Sequence, residues 1–247
     1  MVRPEAPAPK PPQPGDTVRG YMALRGWPVA RRCLMVEGDT DVRYFELASG
    51  EHLRATGKRL LGADLALFAP GTGDAGGTDG IYEEFPTLWK VMRSDTDSQG
   101  TSAFKVSVLL DSDRAGQRLF SLLTQQYRTL IPWRDVILLK HVMPLGTSEP
   151  GAVRRQIEAA NRPHADLDCE VEDLLPVEFI EGFADECEAF ARPPTKNGEY
   201  IHYEFTPPAK SALCRYTERH CIAADLGRLI ETLKAIRLYM GLPQDGV

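Results

Sequence analysis

From residue 31 onward, short apolar runs alternate with stretches whose apolar positions recur at helical spacing. Cys33, Leu34, Met35 and Val36 read as a buried strand, and Val42, Phe45, Leu47 and Leu53 mark an amphipathic helix after it. "ADLALFAPG" is a second strand-like run ending in Gly. "TDGIYEEFPTLWKVMRS" has helical spacing through Ile81, Phe85, Leu88 and Met92, despite Pro86. "FKVSVLLDSD" is the strongest strand pattern, apolar and β-branched up to Asp111. "RAGQRLFSLLTQQYRTL" predicts a helix through Leu119, Leu122, Leu123 and Tyr127, and "DVILLKHVM" another strand. Strands alternating with helices predict an α/β fold: a mostly parallel, Rossmann-like sheet with helices on both faces. Right-handed crossovers place the C-terminal strand ends on one edge, where open α/β sheets bind ligands. "DLGRLIETLKAIRLYM" predicts a further amphipathic helix, which caps the core or docks a partner.

Punctuation divides the chain. Residues 1–16 hold six prolines and little to bury, which predicts a disordered or polyproline-like tail. Residues 17–216 form the expected main domain with insertions, and residues 217–247 a helical cap. The glycine-rich stretch 69–80 is either a phosphate cradle or a flexible connection; it has no P-loop lysine. Residues 93–104 read as plain loop, and residues 176–206 have no assignment.

Composition is that of an ordinary globular protein. No apolar run approaches a membrane span, no secretory signal is visible, and the five cysteines are scattered without metal spacing. These features predict a cytoplasmic protein without a membrane partner. Net charge is −6, but ten acidic residues lie between Asp166 and Glu188, and without them the chain is at +4. The acidity is local, so it does not exclude a polyanionic partner.

The chemistry lies where strands end. Glu37 closes the first strand, and Asp41 follows four residues later in the first turn of a helix. Asp111 and Asp113 close the central strand. In one parallel sheet, neighbouring strands are only ~5 Å apart, so these acids converge. Such a cluster repels itself and favours a counter-cation. Its all-oxygen donors suit one or two Mg²⁺ or Mn²⁺ ions. The helix dipole alone also accounts for acids at helix starts, Asp39 and Asp41 included. Ser112 is a small residue in a tight turn or a contact to a phosphate. Arg114 and Arg118, on the next helix, serve a nucleic-acid backbone or simply solubility.

Together, "VEGDTDVRYF" and "VSVLLDSDRAG" resemble a Toprim domain, in the form found in overcoming-lysogenization-defect (OLD) family nucleases. "CEVEDLLP" is similar to the family's later acidic strand end, with Glu172 the best match, Asp173 beside it and Glu170 less favoured. "PPAKSALCRY" offers Lys210 as the counterpart of the family's catalytic lysine. The resemblance implies a Mg²⁺- or Mn²⁺-dependent endonuclease acting on DNA or RNA. Its implied ligands are Glu37, Asp41, Asp111, Asp113, Glu172 and Asp173, with Glu37, Asp111, Asp113 and Lys210 catalytic. It also implies an anti-phage role beside a separate ABC-type ATPase, and a homo-oligomer is compatible with it. A primase-like phosphotransfer protein and a non-catalytic nucleic-acid or partner-binding subunit are the alternatives. His52, His141, His164, His202 and His220 show no metal-binding spacing and read as surface or packed residues.

Overall fold

Four short buried strands form the centre of the computed structural model, which describes residues 13–71, 76–184 and 190–247. They are β1 (Arg32–Met35), β2 (Leu65–Phe68), β3 (Lys105–Leu110) and β4 (Val136–Leu138). All pair in parallel, in the order β2-β1-β3-β4. Three consecutive β1 residues, Cys33 to Met35, are fully buried, as expected of a strand covered on both faces. The fold is therefore α/β with a parallel, Rossmann-like sheet.

The helices divide between the two faces. They are α1 (Asp16–Leu24), α2 (Asp39–Thr56), α3 (Gly77–Ser94), α4 (Arg114–Gln126), α5 (Pro150–Ala160), α6 (Val177–Ala184), α7 (Pro207–His220) and α8 (Gly227–Tyr239). Helix α2 packs against α7 and α8, whereas α3 packs against α1 and α4. Helix α3 runs through Pro86 at the loss of one backbone hydrogen bond. A small antiparallel hairpin, β5 (Thr195–Asn197) and β6 (Tyr200–His202), precedes α7. The chain leaves β1 for β2 on one side and then crosses to β3 on the other. The switch point thus lies between the ends of β1 and β3, where Glu37 and Asp111 sit.

Several expected boundaries move. Residues 1–12 of the predicted tail lie outside the described residues, as do 72–75 of the glycine-rich stretch and 185–189. The rest of the tail leads straight into α1, whose first amides are met by the Asp95 carboxylate: Gly15 N donates to Oδ1 (2.6 Å) and Val18 N to Oδ2 (3.0 Å). The fourth strand is shorter than its apolar run, because only Val136–Leu138 finds ladder partners on β3. Helix α7 runs through the predicted boundary at 216. The C-terminal helix caps the core: Leu229, Leu233 and Ile236 are fully buried. Arg237, also fully buried, fixes α8 by an ion pair to Asp64 (2.5 Å) and by donating to the carbonyls of Leu60 and Pro243. Among the described residues, no helix is long and apolar enough to cross a membrane.

Candidate active site

The end of β1 and the end of β3 are joined by a side chain. The backbone N–H of Asp111 donates to Glu37 Oε1 at 2.9 Å. Strand pairing brings these ends together, and Glu37 bridges the gap that opens where the ladder stops. On the other side, Ser112 N donates to the Cys169 carbonyl at 3.0 Å, so the segment before Glu170 lies alongside the end of β3. Three distant parts of the sequence thereby meet at one rim.

Each acid has a local reason for its position. Asp41 lies in the first turn of α2, and its Oδ2 accepts from Gly38 N at 2.9 Å. Asp113 is the N-cap of α4; its Oδ1 accepts from Gly116 N at 2.7 Å. Gly116 itself allows the close approach, since a Cβ there would lie 2.0 Å from the Asp111 carbonyl oxygen. The glycine in "DSDRAG" is thus demanded by the way α4 leaves β3. Gly77 N donates to the Glu37 carbonyl at 2.9 Å, which brings the start of α3 to the same rim.

Residues 170–174 form no strand end. Val171–Leu174 is a 3-10 turn, with Glu170 extended before it. Val171 is buried between Glu170 and Glu172, and both glutamates approach Lys210. Lys210 Nζ lies 2.9 Å from Glu170 Oε2 and 4.0 Å from Glu172 Oε2. Lys210 lies within the first turns of α7. Glu170, the less favoured residue on sequence grounds, is therefore in the site. The E-V-E alternation around a buried valine is the signal that could have found it.

Asp173 faces elsewhere. Its Oδ2 accepts from Glu170 N (2.9 Å) and from His202 Nδ1 (2.8 Å), and its Oδ1 accepts from Tyr203 N (2.9 Å). Arg228 Nη1 donates to its carbonyl at 2.8 Å. Of the acids expected to hold a metal, Asp173 thus has both carboxylate oxygens engaged in tying the 170–174 turn to the segment that leads into α7. His202, set aside on spacing, is part of that tie.

The electrostatics are those of a self-repelling cluster. Burial, then Asp41 and Asp113, push the Glu37 pKa up to about 8 against the help of the Asp111 amide. Burial raises Asp41 to about 6, and Glu170 adds to it. Glu172 is pushed up to about 8 by burial and by Asp41 and Glu170. Asp111 is held well above the carboxylate range by burial, Glu37 and Asp41. Burial works against the Lys210 ammonium, but Glu172, Glu170 and Asp111 outweigh it and hold its pKa above the lysine range.

Among the described residues, no three acidic, histidine or cysteine side chains are already gathered around one point as a metal shell requires. The hydrogen bonds explain why: Glu37, Asp41 and Asp113 are each drawn to a backbone amide, and Glu170 to Lys210. The donor set nevertheless fits a hard divalent cation. Every donor is a carboxylate oxygen, and Glu172 Oε1 is buried with no hydrogen-bond partner. Ser112 Oγ, fully buried between the two aspartates, also lacks one. Arg114 and Arg118 do not enter the cluster; both are exposed on α4.

No protein-family model, no curated protein and no solved structure matches this chain.

Proposed function

We propose that the protein is a Toprim-type, divalent-metal-dependent nuclease that hydrolyses phosphodiester bonds in nucleic acid. The observation that carries this reading is the gathering of Glu37, Asp41, Asp111 and Glu172 at the switch point of a parallel sheet, with Lys210 beside Glu170 and Glu172. Carboxylates from three places in the chain are held in partial burial at a cost in desolvation and repulsion, a cost that a bound cation would offset.

Under this reading Glu37, Asp41, Asp111, Asp113 and Glu172 hold Mg²⁺ or Mn²⁺, and Glu170 belongs with Lys210. A divalent ion here supplies Lewis acidity toward a phosphoryl oxygen and a lowered pKa for water. The chain's own groups do the rest. Lys210 keeps its proton at neutral pH, so it serves as a fixed positive charge that stabilises negative charge developing on phosphate, and not as a base. The Glu37 amide bridge keeps the ends of β1 and β3 in register while substrate binds. Asp113 does two jobs: one oxygen caps α4, and the other is left for the site. The anti-phage role and the separate ATPase rest on the resemblance alone.

The test is direct. Purified protein is incubated with single- and double-stranded DNA and RNA in Mn²⁺, Mg²⁺ or EDTA. Cleavage is expected with either metal and none in EDTA. Asp111→Asn and Glu37→Gln should each lower the rate by about 100-fold or more while the circular dichroism spectrum is retained. Failure of the wild-type protein to cut any of these polymers, or variants that cut as fast as wild type, would remove the assignment.

A further inference from the structure

Beside the acidic rim, residues of α3 and α4 line a groove of about 580 Å³ that shares only Asp113 with the site described above. Asp113 stands on its border, so the groove opens directly onto the candidate active site. We propose that it receives one unpaired nucleobase of the substrate strand, next to the scissile phosphate, and so makes the site selective for single-stranded nucleic acid. The identity of the polymer rests on the nuclease reading; the groove itself does not.

Four features support this occupant. Tyr82, on α3, lines the groove and remains 43% exposed, a large aromatic off the buried Ile81–Phe85–Leu88–Met92 side of its helix. Its ring stacks on no other aromatic ring among the described residues, whereas Trp27, Trp89 and Trp133 each have a ring neighbour. Leu122, opposite on α4, is 42% exposed, and Leu119 lies beneath it as an apolar floor. Arg114 and Arg118 line the same groove, and neither meets a carboxylate among the described residues, although Arg54, Arg134 and Arg154 on the surface all do.

An aromatic face, an apolar floor and two uncommitted guanidinium groups are what a base with its flanking phosphate requires. The volume falls within the roughly 300–1,000 Å³ of ordinary ligand pockets. Asp79 and Asp113 also line the groove, so its charge is mixed. A purely anionic ligand would be opposed by these acids, whereas a base has amino groups that they can accept from. The bases of a duplex are paired and stacked, and cannot enter without being extruded.

The experiment measures binding apart from cleavage. Fluorescein-labelled DNA of about 15 nucleotides, single-stranded or as a blunt duplex, is titrated with the full chain in EDTA and followed by anisotropy. Wild type should prefer the single strand. Tyr82→Ala should weaken single-strand binding by about ten-fold or more and leave duplex binding within about two-fold; Tyr82→Phe, which keeps the ring, should restore it. Arg118→Ala should weaken both and reduce the salt dependence by about one unit. Tyr82 is exposed enough that these variants should melt with wild type. A Tyr82-dependent single-strand preference in a protein that cuts nothing would uphold the groove and sink the nuclease reading. Metal-dependent cleavage with equal affinity for both forms, or with Tyr82→Ala indistinguishable from wild type, would sink the groove alone. No measurable binding of either form would sink the groove, and the cleavage assay above decides the nuclease reading separately.

Discussion

Lys210 lies 2.9 Å from Glu170 and 4.0 Å from Glu172, and it is the cation around which the acidic rim is organised. The pair is shielded, with 30% of the lysine side chain and 12% of the Glu170 side chain exposed. A charge pair of this kind is worth more than a surface salt bridge and less than its Coulomb energy suggests, because both partners have given up water.

Replacing this lysine separates charge from packing. Lys210→Met keeps much of the aliphatic stem and removes the ammonium. The expected result is a loss of about 10²–10³ in kcat with KM little changed, measured on a labelled oligonucleotide at saturating Mn²⁺. Calorimetric Mn²⁺ affinity should hold or rise, since a competing cation has gone. Loss of Mn²⁺ binding in Lys210→Met would show that the lysine supports the fold of the site and not the chemistry.

Stability of the metal-free protein should fall as pH rises. Glu37 and Glu172 titrate near 8 in the folded chain, and Asp41 near 6, all above the ordinary carboxylate range of roughly 4 for an unfolded chain. Between those values the folded state holds protons that the unfolded state has lost, so each group's contribution is complete below about pH 4 and is lost by about pH 8. In EDTA, melting should therefore be lower at pH 8.5 than at pH 6. Mn²⁺ should raise it most at pH 8.5, where the carboxylates are ionised. A melting temperature that is flat or rises over this window, with no added effect of metal at high pH, would contradict the cluster.

Asp173 should matter without touching a metal. It holds the 170–174 turn to His202 and to the Tyr203 amide, and that tie sets Glu170 and Glu172 against Lys210. Asp173→Asn removes the charge that pairs with His202 and leaves one acceptor oxygen for three donors. We expect Mn²⁺ affinity to fall by about 10–100-fold, as for residues that orient a ligand, with stability reduced by about 1–3 kcal/mol. A variant that loses stability but binds Mn²⁺ like wild type would reduce Asp173 to a fold residue.

Arg237 tests the far end of the molecule. It is wholly buried, and its ion pair with Asp64 joins α8 to the entry of β2. Arg237→Ala should cost about 3–5 kcal/mol in urea denaturation, because Asp64 is left without its partner. The double variant with Asp64→Ala should lose clearly less than the two single losses added together. Additive losses would mean that Arg237 acts through its carbonyl contacts to Leu60 and Pro243.

Much of this was legible from local pattern. Period and run length mark β1, β3, α2 and α4, because a strand buried on both faces must be apolar throughout and a helix covering it must be apolar along one side. The positions of Glu37, Asp41, Asp111 and Asp113 follow, since each is tied to the end of an element that the pattern defines. The part that was not legible turns on contacts without a period. Asp173 and Glu170 are three residues apart; the E-V-E alternation in "CEVEDLL" puts Glu170 with Glu172, but nothing in the stretch states that Asp173 is tied instead to His202 and Tyr203.

By itself, then, the amino-acid order determined the parallel α/β layout and the rim on which the acids gather, because hydrophobic periodicity and strand-end position are properties of nearby residues. The tertiary structure decided the pairing of Lys210 with Glu170, the inward turn of Asp173 onto His202, and the groove between α3 and α4. Each of these depends on where segments far apart in the chain come to rest against one another, and burial and hydrogen bonding settle that only once the whole core has closed.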